Sequence, residues 1–375
     1  MIKNHKKMNK IISFAIIIVL IIGGIYYLET TKIKIPNQNI VSKDNTEVEG
    51  LKDGKYSKAP ELIGISGYLN TEEGLNIADL NKQGKVVLID FWTYTCINCI
   101  RTLPHITSWD EKYRDKGLAI IGVHTPEFTF EKKYENVQNA IEKYNIKYPV
   151  VQDNDYLTWR AFENRYWPRK YLIDTEGYIR YDHIGEGAYE VTEEKIKELL
   201  AEIGKDVSGI ETSQDNDKVL RFVNTPELYA GYHFALSRGQ NIGNQIGLQP
   251  NSEVYYPLPD VTLKNIIYLE GIWKSNPDDL KLISDDGLVL LNFMASSVNI
   301  VVNNLENPIE VEVLIDGESL SKEQAGSDVL FEGGKSFIIV DKPLLYNLVD
   351  GTYGEHELRL KIKSNNFTFN AFTFG

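Results

Sequence analysis

The chain holds two cysteines, Cys96 and Cys99, and they form a C-x-x-C pair. Two thiols at this spacing can cycle between a dithiol and a disulfide, so the pair indicates thiol–disulfide chemistry. Residues 86–91, before the pair, are apolar and rich in β-branched side chains, which predicts a buried parallel strand. A helix is predicted after Cys99, through Tyr113, with Pro104 inside it. The pair would therefore lie where a strand passes into a helix.

This junction gives the two sulfur atoms different roles. Unpaired backbone N–H groups and the helix dipole favour a thiolate at a helix N-terminus, so Cys96 is predicted to be the attacking sulfur. Cys99, one turn further on, is predicted to resolve the mixed disulfide. Asp90 lies inside the predicted strand, where burial should raise the pKa of its carboxyl group and suit it to accept a proton from Cys99. An acid at a strand end that bonds only to the backbone is the structural alternative.

The surroundings of the pair resemble the thioredoxin fold. Trp92 stands four residues before Cys96, Pro104 stands five after Cys99, and residues 167–174 look like that fold's cis-proline strand. The resemblance implies an α/β thioredoxin-like fold in which the peptide bond before Pro168 is cis. It also implies that Trp92 and Trp167 contact the substrate, because backbone groups of Trp167 could pair with an incoming peptide as an added strand.

Residues 59–204 resemble a narrower group, the TlpA-like thiol oxidoreductases, and within it the extracytoplasmic part of DipZ-type proteins. Residues 122–128 are one matching piece, and in it Glu127 is predicted to lie beside the substrate. The resemblance implies disulfide-containing extracytoplasmic proteins as substrates and a membrane electron-donor thiol protein of the CcdA type. It implies no cofactor beyond the redox-active disulfide Cys96–Cys99. Thr102 stands where many TlpA-like reductases carry an acid.

Other chemistries remain open for the same residues. A structural disulfide or a two-thiol metal site is one, but no second C-x-x-C or nearby histidine pair completes a zinc shell. Copper delivery would use His124 with the two sulfurs, as in Sco-like proteins, which have a longer cysteine spacing. Peroxidase chemistry would use Thr93, although Ile89 replaces the proline of that family. We therefore predict no metal site.

Residues 11–28 form an uncharged apolar stretch just long enough to span a bilayer. Lysines precede it, and positive charge marks the cytoplasmic side of a membrane segment. We predict a single-pass anchor in the cell membrane, with the N-terminus cytoplasmic and the catalytic part extracytoplasmic. A cleaved signal peptide is the alternative, although no small-x-small cleavage site follows.

The C-terminal part of the chain changes character. Residues 309–313 and 358–362 alternate strictly between apolar and polar, which predicts strands with one solvated face. We expect a jelly-roll-like sandwich similar to carbohydrate-binding modules, with cell-wall glycan as a further partner. Aromatic side chains in a sandwich are more often core than ligand contacts. Four of them are candidates for a platform that stacks on sugar rings: Tyr232, Tyr255, Tyr256 and Trp273.

Length and composition fit a multidomain protein, because 375 residues with 42% apolar content can form two cores. A net charge of −13 disfavours nucleic acid as a partner. The competing class is a cell-surface glycan- or protein-binding module whose thioredoxin-like half is a scaffold. The predicted division is a cytoplasmic tail (1–10), an anchor (11–28), a linker (29–55), a thioredoxin-like domain (56–206), a second linker (207–218) and the sandwich (219–375).

Overall fold

The computed structural model describes residues 54–213, 223–304, 307–365 and 367–375. All of them belong to one compact unit. The predicted tail and anchor (1–28) lie outside these residues, as does most of the first linker. Within the described ranges, no helix has both the length and the apolar character to cross a membrane.

The first half of the described chain forms a mixed sheet. Strand β2 (Val86–Trp92) lies at its centre, parallel to β3 (Leu118–His124) and antiparallel to β5 (Arg169–Ile173). Both faces of β2 are buried, as its continuous apolar sequence predicts. After Pro168, strands β5 (Arg169–Ile173) and β6 (Ile179–Ile184) form an antiparallel hairpin. In the order β1-β4-β3-β2-β5-β6, the strands are β1 (Gly67–Leu69), β4 (Val150–Gln152), β3 (Leu118–His124), β2 (Val86–Trp92), β5 (Arg169–Ile173) and β6 (Ile179–Ile184).

Helices cover both faces of this sheet. The longest, α2, follows β2 and buries one stripe, which includes Leu103, Ile106 and Trp109, against the sheet. Pro104 lies inside α2, as predicted. The helices are α1 (Ile77–Lys82), α2 (Ile97–Tyr113), α3 (Tyr134–Lys143), α4 (Leu157–Ala161) and α5 (Tyr189–Glu202), with 3-10 turns at Arg114–Lys116 and Thr129–Lys132.

The period of two along β2 divides its side chains between two clusters. Val87, Ile89 and Phe91 pack on the side that holds Trp159. Leu88 and Trp92 pack on the other side, together with Cys99 of α2. Asp90 lies between Leu88 and Trp92 in the alternation, so it shares the face of the sheet on which Cys99 packs.

The C-terminal half is β-rich, as predicted. Its strands pair antiparallel in one hydrogen-bonded sheet, dominated by the long pair β11 and β16. A jelly-roll arrangement of these strands stays a prediction. The elements are β7 (Leu228–Tyr229), α6 (Tyr232–Ser237), β8 (Glu253–Tyr256), β9 (Ile267–Ser275), β10 (Leu280–Leu282), β11 (Gly287–Asn304), β12 (Ile309–Ile315), β13 (Glu318–Ser319), β14 (Leu330–Glu332), β15 (Lys335–Val340), β16 (Leu344–Ile362) and β17 (Phe367–Phe374).

The predicted aromatic platform is not formed as a set. Trp273 and Tyr256 are completely buried, and the Trp273 ring meets Phe367 and Phe369 edge-on. Tyr255 is exposed. The alternation of β8 explains the difference, because neighbouring residues of a strand point to opposite faces. Trp273 and Tyr256 are therefore core residues, which is the more common role of aromatic side chains in a sandwich, and they are no longer candidates for the platform.

Candidate active site

Cys96 lies at the N-terminal end of α2 and serves as its cap. Its Sγ accepts a hydrogen bond from the backbone N–H of Cys99, with a donor–acceptor distance of 3.3 Å. Both cysteines are free thiols, and Cys96 is partly exposed. The sulfur thus lies beside the N–H groups of the first helical turn, at the positive end of the helix dipole. The local geometry therefore suits Cys96 to be a nucleophile that a partner can reach.

Cys99 lies in a different environment, one turn into α2. Only 1% of its surface is exposed. Burial raises the pKa of the Cys99 thiol well above its usual value, and the nearby Cys96 sulfur raises it further. Cys99 is thus held as a thiol and needs a base before it can attack.

Asp90 is the candidate for this base that the sequence predicts. It is 1% exposed, and its Oδ1 has no hydrogen-bond partner among the described residues. Burial raises the pKa of the Asp90 carboxyl to about 7, although Lys170 opposes the rise. The negative charge of Asp90 also raises the pKa of Cys99, so the two groups influence each other. The predicted rise of the Asp90 pKa is confirmed, and a carboxyl that titrates near neutrality can both take and return a proton.

Lys170 was missed by the sequence analysis. It stands opposite Asp90 in the β2–β5 pairing and is completely buried. Its Nζ donates to the backbone oxygen of Gly185 (3.2 Å). Burial lowers the pKa of the Lys170 ammonium, and the Asp90 carboxylate opposes that effect. The signal in the sequence was a lysine two residues after the predicted cis-proline Pro168, inside a strand that should pair with β2.

The peptide bond between Trp167 and Pro168 is cis, as predicted. Pro168 is buried, whereas Trp167 is half-buried. The Trp167 indole Nε1 donates to the backbone oxygen of Thr125 (3.1 Å), and its ring lies 4.3 Å from that of Trp159, centroid to centroid. Part of Trp167 thus remains open to solvent, as a substrate contact requires. Its predicted role in binding stays a prediction.

Trp92 is placed in the core. It is fully buried, and its ring meets His124 edge-on. A Cβ at Gly122 would lie 3.0 Å from the Trp92 Nε1, so a glycine leaves room for this ring on the neighbouring strand. The predicted contact of Trp92 with substrate is therefore not available in this structure, because the side chain has no accessible surface.

Glu127 faces the C-terminal half of the chain. Its side chain is 11% exposed, and the hydroxyl of Tyr229 lies 2.8 Å from its Oε1. Burial raises the pKa of Glu127 to about 8, and the charges of Glu227 and Glu131 act in the same direction. The structure thus gives Glu127 a contact between the two halves of the chain. Its predicted place beside the substrate stays a prediction.

His124 lies in the core of the first half of the chain. It is fully buried, stacks on Tyr94 and lies 3.3 Å from the Thr93 Oγ1. Burial lowers the pKa of His124 to about 3, so the ring is neutral. In the part of the chain that the structure describes, no three histidine, cysteine or acidic side chains are grouped so that they could hold a metal ion.

Two protein families match separate parts of the chain. Residues 58–182 match the AhpC/TSA family, and residues 225–375 match a family described as thioredoxin like C-terminal domain. Together these matches cover both halves of the compact unit.

Two bacterial proteins are among the relatives of the chain. Protein DipZ of Mycobacterium bovis is 38% identical over 270 residues, which are 70% of this chain and 38% of DipZ. The chain thus spans well under half of the length of that relative. Thiol-disulfide oxidoreductase YkuV of Bacillus subtilis is 29% identical over 143 residues, 38% of this chain and 94% of YkuV.

The chain is also similar to part or all of some solved structures. The putative thiol:disulfide interchange protein DsbE from Chlorobium tepidum covers 39% of this chain, and the match includes 96% of that protein, with 24% identity and a TM-score of 0.34. The resemblance to thioredoxin-like proteins, including DipZ, is confirmed by the family matches and the named relatives.

Proposed function

We propose that this chain, a thioredoxin-like protein similar to DipZ, is a thiol–disulfide oxidoreductase that reduces protein disulfides outside the cytoplasm. One observation carries the proposal. The partly exposed Cys96 caps α2, and the buried Cys99 stands one turn behind it. Such a pair separates the sulfur that meets the partner from the sulfur that releases it. The similarity to DipZ and YkuV supports the same chemistry.

The reaction follows from the different environments of the two sulfurs. The Cys96 thiolate attacks one sulfur of the partner disulfide, the S–S bond breaks, and the other partner sulfur leaves as a thiolate. The Asp90 carboxylate then accepts the proton of Cys99, and the Cys99 sulfur attacks Cys96. The Cys96–Cys99 disulfide forms as the second partner sulfur leaves. Two electrons have then passed from the chain to the partner, which ends as a dithiol.

The remaining parts of the proposal concern place and partners. The oxidised pair needs two electrons from another dithiol, and we assign this task to a membrane thiol protein of the CcdA type. Residues 11–28 would anchor the chain, with everything after them extracytoplasmic. The C-terminal β domain, which we propose to be jelly-roll-like, would hold the enzyme near cell-wall glycan or near a protein partner. The apolar stretch 11–28 and the lysines before it are the support for the anchor.

Trapping of the mixed disulfide tests the chemistry. A Cys99→Ser variant should accumulate partners that are covalently joined to Cys96, because nothing resolves the mixed disulfide. A Cys96→Ser variant should not. The double variant contains no cysteine, since the chain has only these two, and it is the matched background control. Equal trapping by both single variants would refute the assigned roles.

Two alternatives are tested by the same proteins. A surface-binding module with a scaffold-like first half would bind glycan or protein but would not reduce insulin disulfides. A peroxidase is the alternative that the AhpC/TSA match raises, and it would consume hydrogen peroxide through Cys96. We expect insulin reduction that depends on both cysteines, and peroxide turnover far slower than it.

A further inference from the structure

Glu131 is a completely buried acid that the proposed reaction does not use. It lies in the 3-10 turn Thr129–Lys132, and its two carboxylate oxygens accept four hydrogen bonds. Oε1 accepts from the hydroxyls of Thr93 (2.6 Å) and Thr95 (2.5 Å). Oε2 accepts from the backbone N–H groups of Glu127 (2.5 Å) and Phe128 (2.8 Å). A single carboxylate therefore joins two separate segments of the chain.

The first of these segments leads directly to the cysteines. Thr93, Tyr94 and Thr95 connect the end of β2 to Cys96. The backbone oxygen of Thr93 accepts from the N–H of Cys96 (3.3 Å), and a backbone hydrogen bond from Thr93 lowers the pKa of the Cys99 thiol. Both threonine side chains are buried. A change in the position of these threonines would therefore alter the surroundings of both the Cys96 and the Cys99 sulfur.

The second segment is held from the other side by the C-terminal half of the chain. Phe128 packs against Tyr229 and Phe234, with centroid distances of 6.4 and 5.4 Å. The backbone N–H of Thr129 donates to the Asp278 carboxylate (2.9 Å), and so does the Thr129 hydroxyl. Residues 127–129 thus have a fixed position relative to the C-terminal domain, and Glu131 transmits that position to the loop before Cys96.

We propose that Glu131 is a positioning residue for the Cys96–Cys99 pair, which it serves by fixing residues 93–95 against the segment that the C-terminal domain holds. The inference rests on the proposed thiol–disulfide chemistry and deepens it. A carboxylate is suited to this position because it offers acceptors only, and four donors converge on it. A glutamine amide has one oxygen, so it can satisfy the two hydroxyls or the two N–H groups but not both pairs.

A Glu131→Gln variant tests the role through the reactivity of Cys96. We measure the pH midpoint of Cys96 alkylation in the Cys99→Ser background, which requires no turnover. Loss of positioning should move this midpoint to higher pH, because Sγ is no longer held at the helix N–H groups. Removal of a nearby negative charge would by itself move it to lower pH. Glu135→Gln, an exposed charge-matched change on α3, should leave the midpoint unchanged.

The threonines provide an independent test if Glu131→Gln does not fold. Thr95→Val removes one hydroxyl that donates to Glu131, whereas Thr95→Ser keeps it. We expect insulin reduction to fall about tenfold in Thr95→Val, with kcat rather than KM affected, and to recover in Thr95→Ser. A midpoint that stays unchanged or moves to lower pH would overturn the proposal, as would equal activity of the two threonine variants. Failure of the proposed function itself would appear as absent trapping in the Cys99→Ser protein with native Glu131.

Discussion

Asp90 and Lys170 lie directly opposite each other in the antiparallel pairing of β2 with β5, and both side chains are buried beneath the cysteine pair. Each opposes the effect of burial on the other: Lys170 limits the rise of the Asp90 pKa, and Asp90 limits the fall of the Lys170 pKa. The Asp90 carboxyl still titrates near pH 7, because burial is the larger effect. The group that we propose as the proton acceptor for Cys99 thus lies in the sheet itself.

Asp90→Asn should slow the release of a trapped partner. The introduced amide cannot accept the Cys99 proton, and general-base assistance contributes about 10²-fold or more to the rate of such a step. We therefore expect the mixed disulfide to be resolved about tenfold to hundredfold more slowly at pH 7.5. In the wild-type protein, the resolution rate should rise with pH through a midpoint near 7, the pKa of Asp90. Single-turnover release of a fluorescent disulfide peptide measures both. Asp115→Asn, an exposed change, serves as the control, and a wild-type midpoint that survives in Asp90→Asn would refute the assignment.

The same group should make stability depend on pH. The pKa of Asp90 is about 7 in the folded protein, against 3.8 ordinarily, so between these values the folded state binds more protons than the unfolded state. The contribution of the Asp90 carboxyl to the free energy of unfolding is therefore present at low pH and is lost as the pH rises from about 4 to 7. Relative to wild type, Asp90→Asn should gain up to about 4 kcal/mol of unfolding free energy over that window. Urea unfolding at several pH values measures the difference, and a constant difference would show that the folded protein keeps this carboxyl ionised.

Much of this arrangement could be predicted from local sequence. The apolar run of β2 indicates a strand buried on both faces, and an acid within that run must lose water, so the rise of the Asp90 pKa follows. The C-x-x-C pair before a helix indicates the asymmetry between Cys96 and Cys99. These inferences succeed because they depend on neighbours within a few residues.

The remainder depends on contacts between distant segments. Lys170 and Glu131 act through register and through the packing of a loop, which no local pattern specifies. The start of α5 is also determined by contacts that the local sequence does not specify. A threonine followed by two acids predicts an N-cap at Thr192, but the helix begins at Tyr189, after Ala188 with a φ of 49°. The Thr192 hydroxyl instead donates to the backbone oxygen of Ala188 (2.7 Å), and the Tyr189 ring stacks on His105 with centroids 3.5 Å apart.

The two thiols should differ sharply toward an alkylating reagent. Cys99 is 1% exposed and its pKa is raised, whereas Cys96 is partly exposed. In the reduced protein at pH 7, we expect iodoacetamide to modify Cys96 at least about tenfold faster than Cys99. Peptide mass spectrometry after timed quenching gives the two rates. Unfolding in guanidinium should abolish the difference, and similar rates in the folded protein would contradict the assignment of Cys96 as the attacking sulfur.

The contact between the two halves of the chain depends on a proton shared around Tyr229. Its hydroxyl lies 2.8 Å from both the Glu127 Oε1 and the Glu227 Oε2, yet a hydroxyl has one proton to donate. Both contacts are hydrogen bonds only if one carboxyl is protonated, and the Glu127 pKa of about 8 supplies that proton at pH 7. Tyr229→Phe removes both bonds and should lower the free energy of unfolding at pH 7 by about 1–3 kcal/mol.

Urea unfolding of Tyr229→Phe and of a matched variant measures this contribution. Tyr232→Phe is the match, because that hydroxyl makes one exposed contact, 3.3 Å from the Asn251 Oδ1, and its loss should cost less than about 0.5 kcal/mol. The Tyr229 hydrogen bond lowers the pKa of Glu127, so the hydroxyl stabilises the ionised form of Glu127 more than the protonated form. Above pH 8, where Glu127 ionises in the wild-type protein, the difference between wild type and Tyr229→Phe should therefore grow. If the difference in unfolding free energy between wild type and Tyr229→Phe stays constant from pH 6 to 9, neither carboxyl holds the proton. If Tyr229→Phe and Tyr232→Phe lose equal unfolding free energy, the buried hydroxyl contributes no more than the exposed one.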